Sequence, residues 1–562
     1  MGSIVHKVVG GQTYYYLREM ARIDGKPKMI SQRYLGKAAD IEAAMDGAMG
    51  VPERTRHLGF GDLAAVWSVL ERLGVAAIVD EVVGVRRRDA SASVGTYVAL
   101  AAANRVVAPC SKLAFADWWA TTAGDRWVRL PAAALDHRRF WDAMDAIDGD
   151  ALIEIERRIG SAMIDTYGLD LSGLVLDMTN FATYIDSGNG RAPIAQRGHA
   201  KQKRTDLRLV GLGLVVTTDG GVPIVSHAYP GNRPDVTQFA GMVAELAARW
   251  ASHKGDPTTL TVVYDAGQNS VANQQVIQDA SIHFVGSLPP SEHPDLLALP
   301  ADQFVTVDPR RYPGVTAIDT RAVGLGRQHR VIVTHSPTLH AKQSRSFDQT
   351  TLAKVHDRLS ELAGRLERGK TRRSRATVEA DIANICADTW VKRVITTTLT
   401  GDRPATMRLT WTINPAARQA LETELFGKRI LFTSRDDWPV VDVVTAYRSQ
   451  HHVEADFRQM KDRHVVSFNP MHHWTDQKIR VHVFYCVLAL AVARLMRRQA
   501  EHAGHNLSVR ALLDTLAGIQ ETVLIYPSTG GRPKARRITT ETNATQTALY
   551  QLFGLNTYAP KH

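Results

Sequence analysis

The stretch Gly173-Leu-Val-Leu-Asp177 decides the fold, because a short apolar run ends there in an acid. Such a run is typical of a strand buried in a sheet. A second run, residues 260–264, ends in the same way, at Asp265. Acids that follow buried strands lie where an α/β sheet opens into loops, and active sites collect there. The two stretches therefore predict an α/β sheet with a polar site.

Strands and helices alternate around these two runs. The turn Thr218-Asp-Gly-Gly221 joins two apolar stretches, and Ser270 can cap the helix that follows Asp265. The order predicts a mixed sheet flanked by helices. We predict strands at 208–217, 222–228, 282–287 and 429–433, and helices at 234–250, 440–462 and 475–499.

The rest of the chain divides by composition. Near the N-terminus, Tyr-rich residues 13–21 and residues 29–35 flank Asp24-Gly25, a strong hairpin turn. Within the region that interrupts the sheet, we predict a charged helix at 347–375 and strands at 391–400 and 406–412. The predicted units are a basic β-hairpin unit (1–50), a helical domain (51–168), the core in two parts (169–289 and 429–500), an insertion (290–428) and a C-terminal tail (501–562).

Composition limits the class of protein. The 562 residues are 44% hydrophobic and 22% charged, which excludes a long disordered chain. Three cysteines outside any CxxC pattern indicate neither a disulfide framework nor a zinc finger, and favour a cytoplasmic protein. We expect no signal peptide, and the apolar residues 484–496 are too few to span a membrane. The net charge of +11 suggests a polyanionic partner, although scattered surface lysines would give the same number.

A third acid, Glu454, falls inside the predicted helix 440–462. Tyr447, Glu454 and Lys461 are spaced by seven residues, and Arg458 follows Glu454 by four. At that spacing the four side chains share one helix face. An aromatic group, a carboxylate and two cations on one face are unusual for a helix that only packs against a core.

Three carboxylates from separate segments can hold two Mg²⁺ ions, because hard cations prefer oxygen ligands. Such a pair of ions serves phosphodiester chemistry, with nearby Lys and Arg holding the phosphates. Each acid also has a structural interpretation. Asp177 could cap a turn, Asp265 could accept bonds from loop amides, and Glu454 could pair with Arg458. The three acids taken together, in this order, favour the metal site.

With these motifs the chain resembles the DDE transposases of bacterial insertion sequences, in the branch with a β-strand-rich insertion between the second Asp and the Glu. Asp177-Met-Thr-Asn-Phe181 resembles that family's D-x-T-N-F. Residues 198–207, Pro230-Gly231-Asn232 with Asp235, and Asp265-Ala-Gly-Gln-Asn-Ser270 resemble its further blocks. Tyr447, Glu454 and Lys461 match Y-x2-R-x3-E-x6-K, whereas Gln450 replaces the Arg. The Tyr-rich N-terminus is also similar.

The resemblance implies a ribonuclease H-like fold and transposase activity: metal-dependent cleavage of DNA at the ends of the element and strand transfer, with a hairpin intermediate as one route. It implies that Asp177, Asp265 and Glu454 are catalytic and bind two Mg²⁺ ions, for which Mn²⁺ can substitute. Tyr447 and Lys461 would contact DNA, and the helical domain (51–168) would be the DNA-binding domain. We expect Arg458 to contact DNA as well, supplying the cation that Gln450 lacks. The expected partners are double-stranded DNA, as terminal inverted repeats and target, and a second copy of the chain. The expected location is the bacterial cytoplasm, at the nucleoid.

Several weaker candidates have open alternatives. Lys201, Lys203, Arg204 and Arg208 line a DNA channel or form a solvated loop. Trp390 and Trp411 stack on an unpaired base or belong to the core. His482 is a core histidine or supports the site, and we assign neither His451 nor His452 as a metal ligand. The alternative functions are a metal-dependent endonuclease on the same fold without strand transfer, and a domesticated DNA-binding protein.

Overall fold

The computed structural model describes residues 2–23, 26–45, 51–84, 92–198, 206–252, 256–368, 373–527 and 535–561. The N-terminal residues form an antiparallel sheet of three strands in the order β1-β2-β3. Tyr16 and Tyr34 face each other across β2 and β3, with ring centroids 5.3 Å apart. The predicted hairpin strands are thus present, whereas their turn at Asp24-Gly25 lies outside the described residues. The elements are β1 (Gly2–Val9), β2 (Gln12–Ile23), β3 (Lys26–Gly36) and α1 (Ala38–Met45).

The C-terminal segment completes a small sheet that begins near residue 54. β4 (Arg54–Gly59) pairs antiparallel with β16 (Gln520–Ile525), which pairs with β17 (Ala535–Thr539). The buried Glu521 forms ion pairs with Arg126 and Arg537. The segment that begins near residue 54 therefore packs with the C-terminal segment.

Helices account for most of the described residues between 61 and 167. Polar caps fix where several of them begin; the Asp148 side chain, for example, accepts a hydrogen bond from the Ala151 amide at 2.8 Å. This group consists of α2 (Gly61–Arg72), α3 (Val75–Val83), α4 (Val94–Val107), α5 (Phe115–Ala120), α6 (His137–Asp145) and α7 (Gly149–Tyr167), with α19 (Val509–Ala517) and α20 (Ala544–Leu552) packed on it.

A nine-stranded mixed sheet forms the centre of the molecule, in the order β10-β11-β12-β15-β9-β8-β5-β6-β7. β5 is parallel to β8 and β8 to β9, and the other neighbours are antiparallel. This confirms the predicted mixed sheet. Its first strands are β5 (Gly173–Thr183), β6 (Arg208–Thr217), β7 (Pro223–Pro230), β8 (Thr261–Val263) and β9 (His283–Leu288).

Helices cover both faces of this sheet. α8 (Phe239–Ser252) lies on the face of Met178, where Gly213 lacks the Cβ that would collide with Met242. The predicted helix 234–250 thus begins later, because residues 235–237 form a separate 3-10 turn. α9 (Val271–Asp279) is capped as predicted, since Ser270 accepts from the Asn273 amide at 3.0 Å.

The inserted region extends the central sheet as well as adding helices. Its strands join through β15 (Lys428–Thr433), which pairs with both β12 and β9. The other sheet members from this region are β10 (Val305–Thr306), β11 (Thr316–Gly324) and β12 (Arg327–His335); the rest is α10 (Pro294–Leu297), α11 (Pro337–Ser346), α12 (Ala353–Glu367), α13 (Arg375–Ile385), α14 (Thr389–Val394), β13 (Ile395–Thr400), β14 (Arg408–Ile413) and α15 (Pro415–Leu425).

Two predictions for this region are wrong in their bounds. The helix predicted at 347–375 begins with a π-turn and ends at Glu367. The strand predicted at 391–400 begins only at Ile395, because Asp388 accepts hydrogen bonds from the Trp390 and Val391 amides and so starts a short helix.

The remaining helices position the candidate site. The predicted helix 440–462 is two helices, α16 (Val440–Arg448) and α17 (Gln450–Met460), separated at Ser449. α18 (Asp476–His502) follows. Among the described residues it is the one helix long and apolar enough to cross a membrane, and 94% of its apolar window is buried inside the protein. It is therefore the central helix of the core.

Candidate active site

Asp177 and Asp265 occupy matching positions on neighbouring parallel strands. Val175 on β5 pairs with Val263 on β8, and each aspartate lies two residues further on. Because side chains alternate between the faces of a strand, Asp177 belongs to the face of β5 that carries Val175. Asp265 lies beyond the paired part of β8, in the loop that follows it.

Asp177 does not end its strand, contrary to the sequence prediction. β5 continues to Thr183 because β6 pairs with it along its whole length, from Leu174 to Thr183. On the other side the pairing with β8 stops at Val175, so Asp177 lies where that neighbour turns away. Its Oδ1 accepts a hydrogen bond from the Met178 amide at 2.7 Å.

Asp265 follows β8 and begins a 3-10 turn at Ala266. Its Oδ1 accepts a hydrogen bond from the Ala266 amide at 2.7 Å, so the structural interpretation of this acid is also satisfied. The residue is exposed, which leaves its carboxylate accessible from solvent.

α17 lies along the face of β5 that carries Asp177. The Lys461 ammonium donates to Thr179 Oγ1 at 2.9 Å, and Thr179 is two residues beyond Asp177 on the same face. At the other end of α17, a Cβ on Gly221 (φ +69°) would lie 3.1 Å from His452 Cβ, near the start of β5. Glu454 lies two turns before Lys461, so it is displaced from Thr179 toward Asp177.

The exposed stripe of α17, which we define as Glu454 and Arg458, makes no ion pair or hydrogen bond with any described residue. The alternative in which these two side chains neutralise each other is therefore not realised. An exposed carboxylate without a partner keeps its oxygens available for a ligand.

Tyr447 is separated from that stripe by the break at Ser449. The side chain is 5% exposed, and its hydroxyl lies 3.5 Å from Arg429 Nη1. Burial raises the pKa of Tyr447, which Asp265 raises further and Arg429 lowers. The prediction of one continuous face is wrong for Tyr447, which instead faces Asp265.

A groove of about 1150 Å³ runs beside α16 and α17. It exceeds most small-molecule pockets, which hold roughly 300–1000 Å³. Glu454, Tyr447 and Gln450 line it, and Asp177 and Asp265 do not. No sequence motif marks its arginines, because they come from three separate segments: Arg311, Arg429 and Arg448.

The donor chemistry fits Mg²⁺, since all three predicted ligands are carboxylates. The described residues nevertheless include no group of three His, Cys, Asp or Glu side chains close enough to hold an ion together. The structure therefore places Asp177 on β5, Asp265 after its parallel neighbour β8 and Glu454 on the helix over β5, without closing the three into one metal site.

The basic stretch predicted to line the DNA channel is described only in part. Lys201, Lys203 and Arg204 lie outside the described residues. Arg208 Nη1 donates to the carbonyl oxygens of Asp186 (3.1 Å) and Asn189 (2.9 Å). It thus supports a loop at the end of β5.

The aromatic and histidine candidates have structural contacts. Trp390 packs edge-on to Phe347, and the Trp411 ring centroid is 5.5 Å from that of His356. His482 is fully buried and its Nε2 lies 2.8 Å from the Phe468 carbonyl oxygen. Burial lowers the pKa of His452 to about 4.

Comparisons with known proteins add little. No protein-family model matches the chain, and no curated protein matches it either. Among solved structures it is similar to the piggyBac transposase in a synaptic complex with hairpin DNA, with a TM-score of 0.37, 9% sequence identity, and coverage of 83% of this chain and 82% of that one. A similarity this low supports no conclusion about the function of this chain.

Proposed function

We propose that this protein is a DDE-type DNA transposase of an insertion sequence, with a ribonuclease H-like core. It would bind the terminal inverted repeats as a homodimer and catalyse cleavage and strand transfer. The observation that carries the proposal is that β5, which carries Asp177, runs parallel to β8, which Asp265 follows, and that a helix over β5 presents Glu454 without a described partner. The sequence motifs around these acids support the same chemistry.

Asp177, Asp265 and Glu454 would hold Mg²⁺, which supplies an activated attacking oxygen and neutralises charge on the leaving oxygen. Since no described residue holds the Glu454 carboxylate, its side chain can turn toward the two aspartates when DNA and metal bind. Lys461, fixed by Thr179, places a positive charge on the Asp177 face of the sheet, where a scissile phosphate would lie. Arg458 would contact a neighbouring phosphate.

Tyr447 has a positioning role in this proposal. Its ring lies under the Arg429 guanidinium, whose carbon is 5.6 Å from the ring centroid, and burial keeps the hydroxyl protonated at neutral pH. A protonated hydroxyl can donate a hydrogen bond to the Asp265 carboxylate or to a phosphate oxygen.

The test uses end-labelled DNA that spans the boundary of the element flanking this gene. Wild-type protein and Asp265→Asn are each incubated with Mg²⁺ or with EDTA. Glu292→Gln, which changes an exposed acid far along the chain, is the matched control. We expect cleavage at the boundary only with Mg²⁺ and only in wild type and control. Joined products identify a transposase, whereas cleavage without joining identifies a nuclease on the same site; cleavage by Asp265→Asn overturns the assignment.

A further inference from the structure

Two large aromatic side chains stand exposed beside a pocket that the proposed site does not use. Tyr184 is 76% exposed and Trp474 is 59% exposed, and both line a pocket of about 430 Å³. Exposed aromatic rings that border one cavity are uncommon on a surface without a binding partner. Neither residue lies in the groove beside α17.

The loops that carry the two rings are fixed to each other. Asn189 Nδ2 donates to the Trp474 carbonyl oxygen at 2.9 Å, and the Asp476 amide donates to the Arg191 carbonyl oxygen at 2.9 Å. Arg208 ties the 186–189 loop to β6. The rings are therefore held in place before a ligand arrives, which lowers the entropy cost of binding.

Polar groups suited to a base surround the rings. The exposed Arg191 supplies a cation, Asn189 an amide, and Asp186 a carboxylate whose Oδ1 also accepts from the Gly188 amide at 2.7 Å. Carboxylates and amides hydrogen-bond the edges of bases, and guanidinium groups bind phosphates. A ligand with a flat aromatic face, hydrogen-bonding edges and a negative charge matches this set.

Buried cations lie behind the pocket. His473 lines it and is buried, and Lys112 and Arg105 are the charged groups that affect it most. Both are buried, and the Lys112 ammonium has no hydrogen-bond partner among the described residues. Arg105 thus places a positive charge behind the inner wall of the pocket, which favours an anionic ligand.

We propose that this pocket binds one unpaired base of DNA, with Trp474 and Tyr184 as stacking surfaces and Arg191 on the adjoining phosphate. The proposal rests on the proposed function, because it assumes that DNA lies along this face. Tyr184 directly follows β5, whose last residue is Thr183. Thr183 is six residues beyond Asp177, which is roughly 20 Å along the strand. The pocket would thus hold a nucleotide several positions away from the cleaved bond.

The test measures binding of two DNA probes, a blunt duplex and the same duplex with a single-stranded overhang that carries 2-aminopurine. We expect wild type to quench the 2-aminopurine fluorescence by stacking. Trp474→Leu and Tyr184→Ala should weaken binding of the overhang probe by roughly 5- to 100-fold, with binding of the blunt duplex unchanged within about twofold. Trp474→Phe, which keeps a ring, should restore most of the affinity. Val323→Ala, at an exposed residue of the insertion, is the control for surface substitution.

The outcomes separate this inference from the proposed function. Equal weakening of both probes, or unchanged binding of the overhang by Trp474→Leu, overturns the base pocket while boundary cleavage by wild type still stands. Absence of binding to either probe overturns both. Melting temperatures of the variants, compared with wild type, show whether a lost signal reflects unfolding.

Discussion

Glu454 and Asp456 are two carboxylates on one helix, two residues apart, with opposite surroundings. Glu454 is exposed and has no described partner, whereas Asp456 is fully buried and forms an ion pair with the buried Arg494 of α18. At 3.6 residues per turn, a spacing of two puts side chains on nearly opposite sides of a helix. Asp456, which is buried and paired, holds α17 in place, whereas Glu454, which is exposed and unpaired among the described residues, is accessible to a ligand.

Substitutions on the two sides of α17 are expected to change the free energy of unfolding by different amounts. A buried charge that loses its partner destabilises a protein strongly. An exposed side chain without contacts contributes little to folding, and substitutions there are usually within about 0.5 kcal/mol. The stripe of Glu454 and Arg458 can therefore be changed with function as the main readout.

The largest expected effect concerns Lys112, a buried amine that, unlike Asp456, forms no ion pair with any described residue. Burial lowers the pKa of Lys112 to about 7 from its ordinary 10.5, and Arg105 lowers it further. Between pH 7 and pH 10.5 the Lys112 amine is protonated in the unfolded chain and neutral in the folded protein. The free energy of unfolding therefore rises as pH increases through this window and falls as pH decreases toward 7. The difference amounts to about 5 kcal/mol.

Chemical denaturation of wild type and Lys112→Met from pH 7 to 10 checks this. We expect the variant to be the more stable at pH 7, with the advantage disappearing at high pH. A constant difference across the range contradicts the assigned surroundings of Lys112.

Asp456→Ala should cost about 3–5 kcal/mol of unfolding free energy, because it leaves Arg494 buried without a counter-charge. The double variant Asp456→Leu with Arg494→Met should recover most of that stability, since an apolar pair replaces an ionic one. Urea denaturation measures both. If the single change is as mild as the double, the buried pair does not secure α17.

Lys461→Met removes the hydrogen bond to Thr179 and the contact of the ammonium with the Phe181 ring, 5.5 Å from its centroid. We expect a loss of about 1 kcal/mol, small because the residue is half-buried. Boundary cleavage should fall more steeply than stability does. Equal activity per folded molecule would remove Lys461 from the site.

Arg458→Gln should have the smallest effect on stability, within about 0.5 kcal/mol. If Arg458 contacts one phosphate, the slope of log binding constant against log salt should become shallower by about 1. Anisotropy titrations of duplex DNA over a salt series measure this. An unchanged slope would place Arg458 outside the DNA interface.

The strands of the mixed sheet follow from local patterns, whereas their register does not. Apolar runs such as residues 173–177 can pair only where both faces are covered, and the acids after them mark the open side. The end of β5 was not predictable, because it depends on pairing with β6 up to Thr183. The separation of α16 from α17 at Ser449 was likewise invisible, since the residues around it are good helix formers.

The burial or exposure of individual side chains also could not be predicted from the sequence. The heptad count placed Tyr447 beside Glu454, but the break and the packing against Arg429 bury it. Trp474 gave no periodic signal, because it lies in an irregular segment before α18 and its exposure depends on a loop from β5. From the sequence, only the Y-x2-R-x3-E-x6-K motif distinguishes Glu454, as a candidate ligand, from Asp456.

The most direct measurement of the central claim compares Glu454→Gln with Asp456→Asn in Mg²⁺-dependent cleavage at the element boundary, each with its melting temperature. We predict that Glu454→Gln melts like wild type and cleaves at least roughly 100-fold more slowly, a loss of about 2.7 kcal/mol of transition-state stabilisation. Asp456→Asn should melt lower and, at temperatures where it is folded, cleave at close to the wild-type rate. Full cleavage by Glu454→Gln would contradict the account.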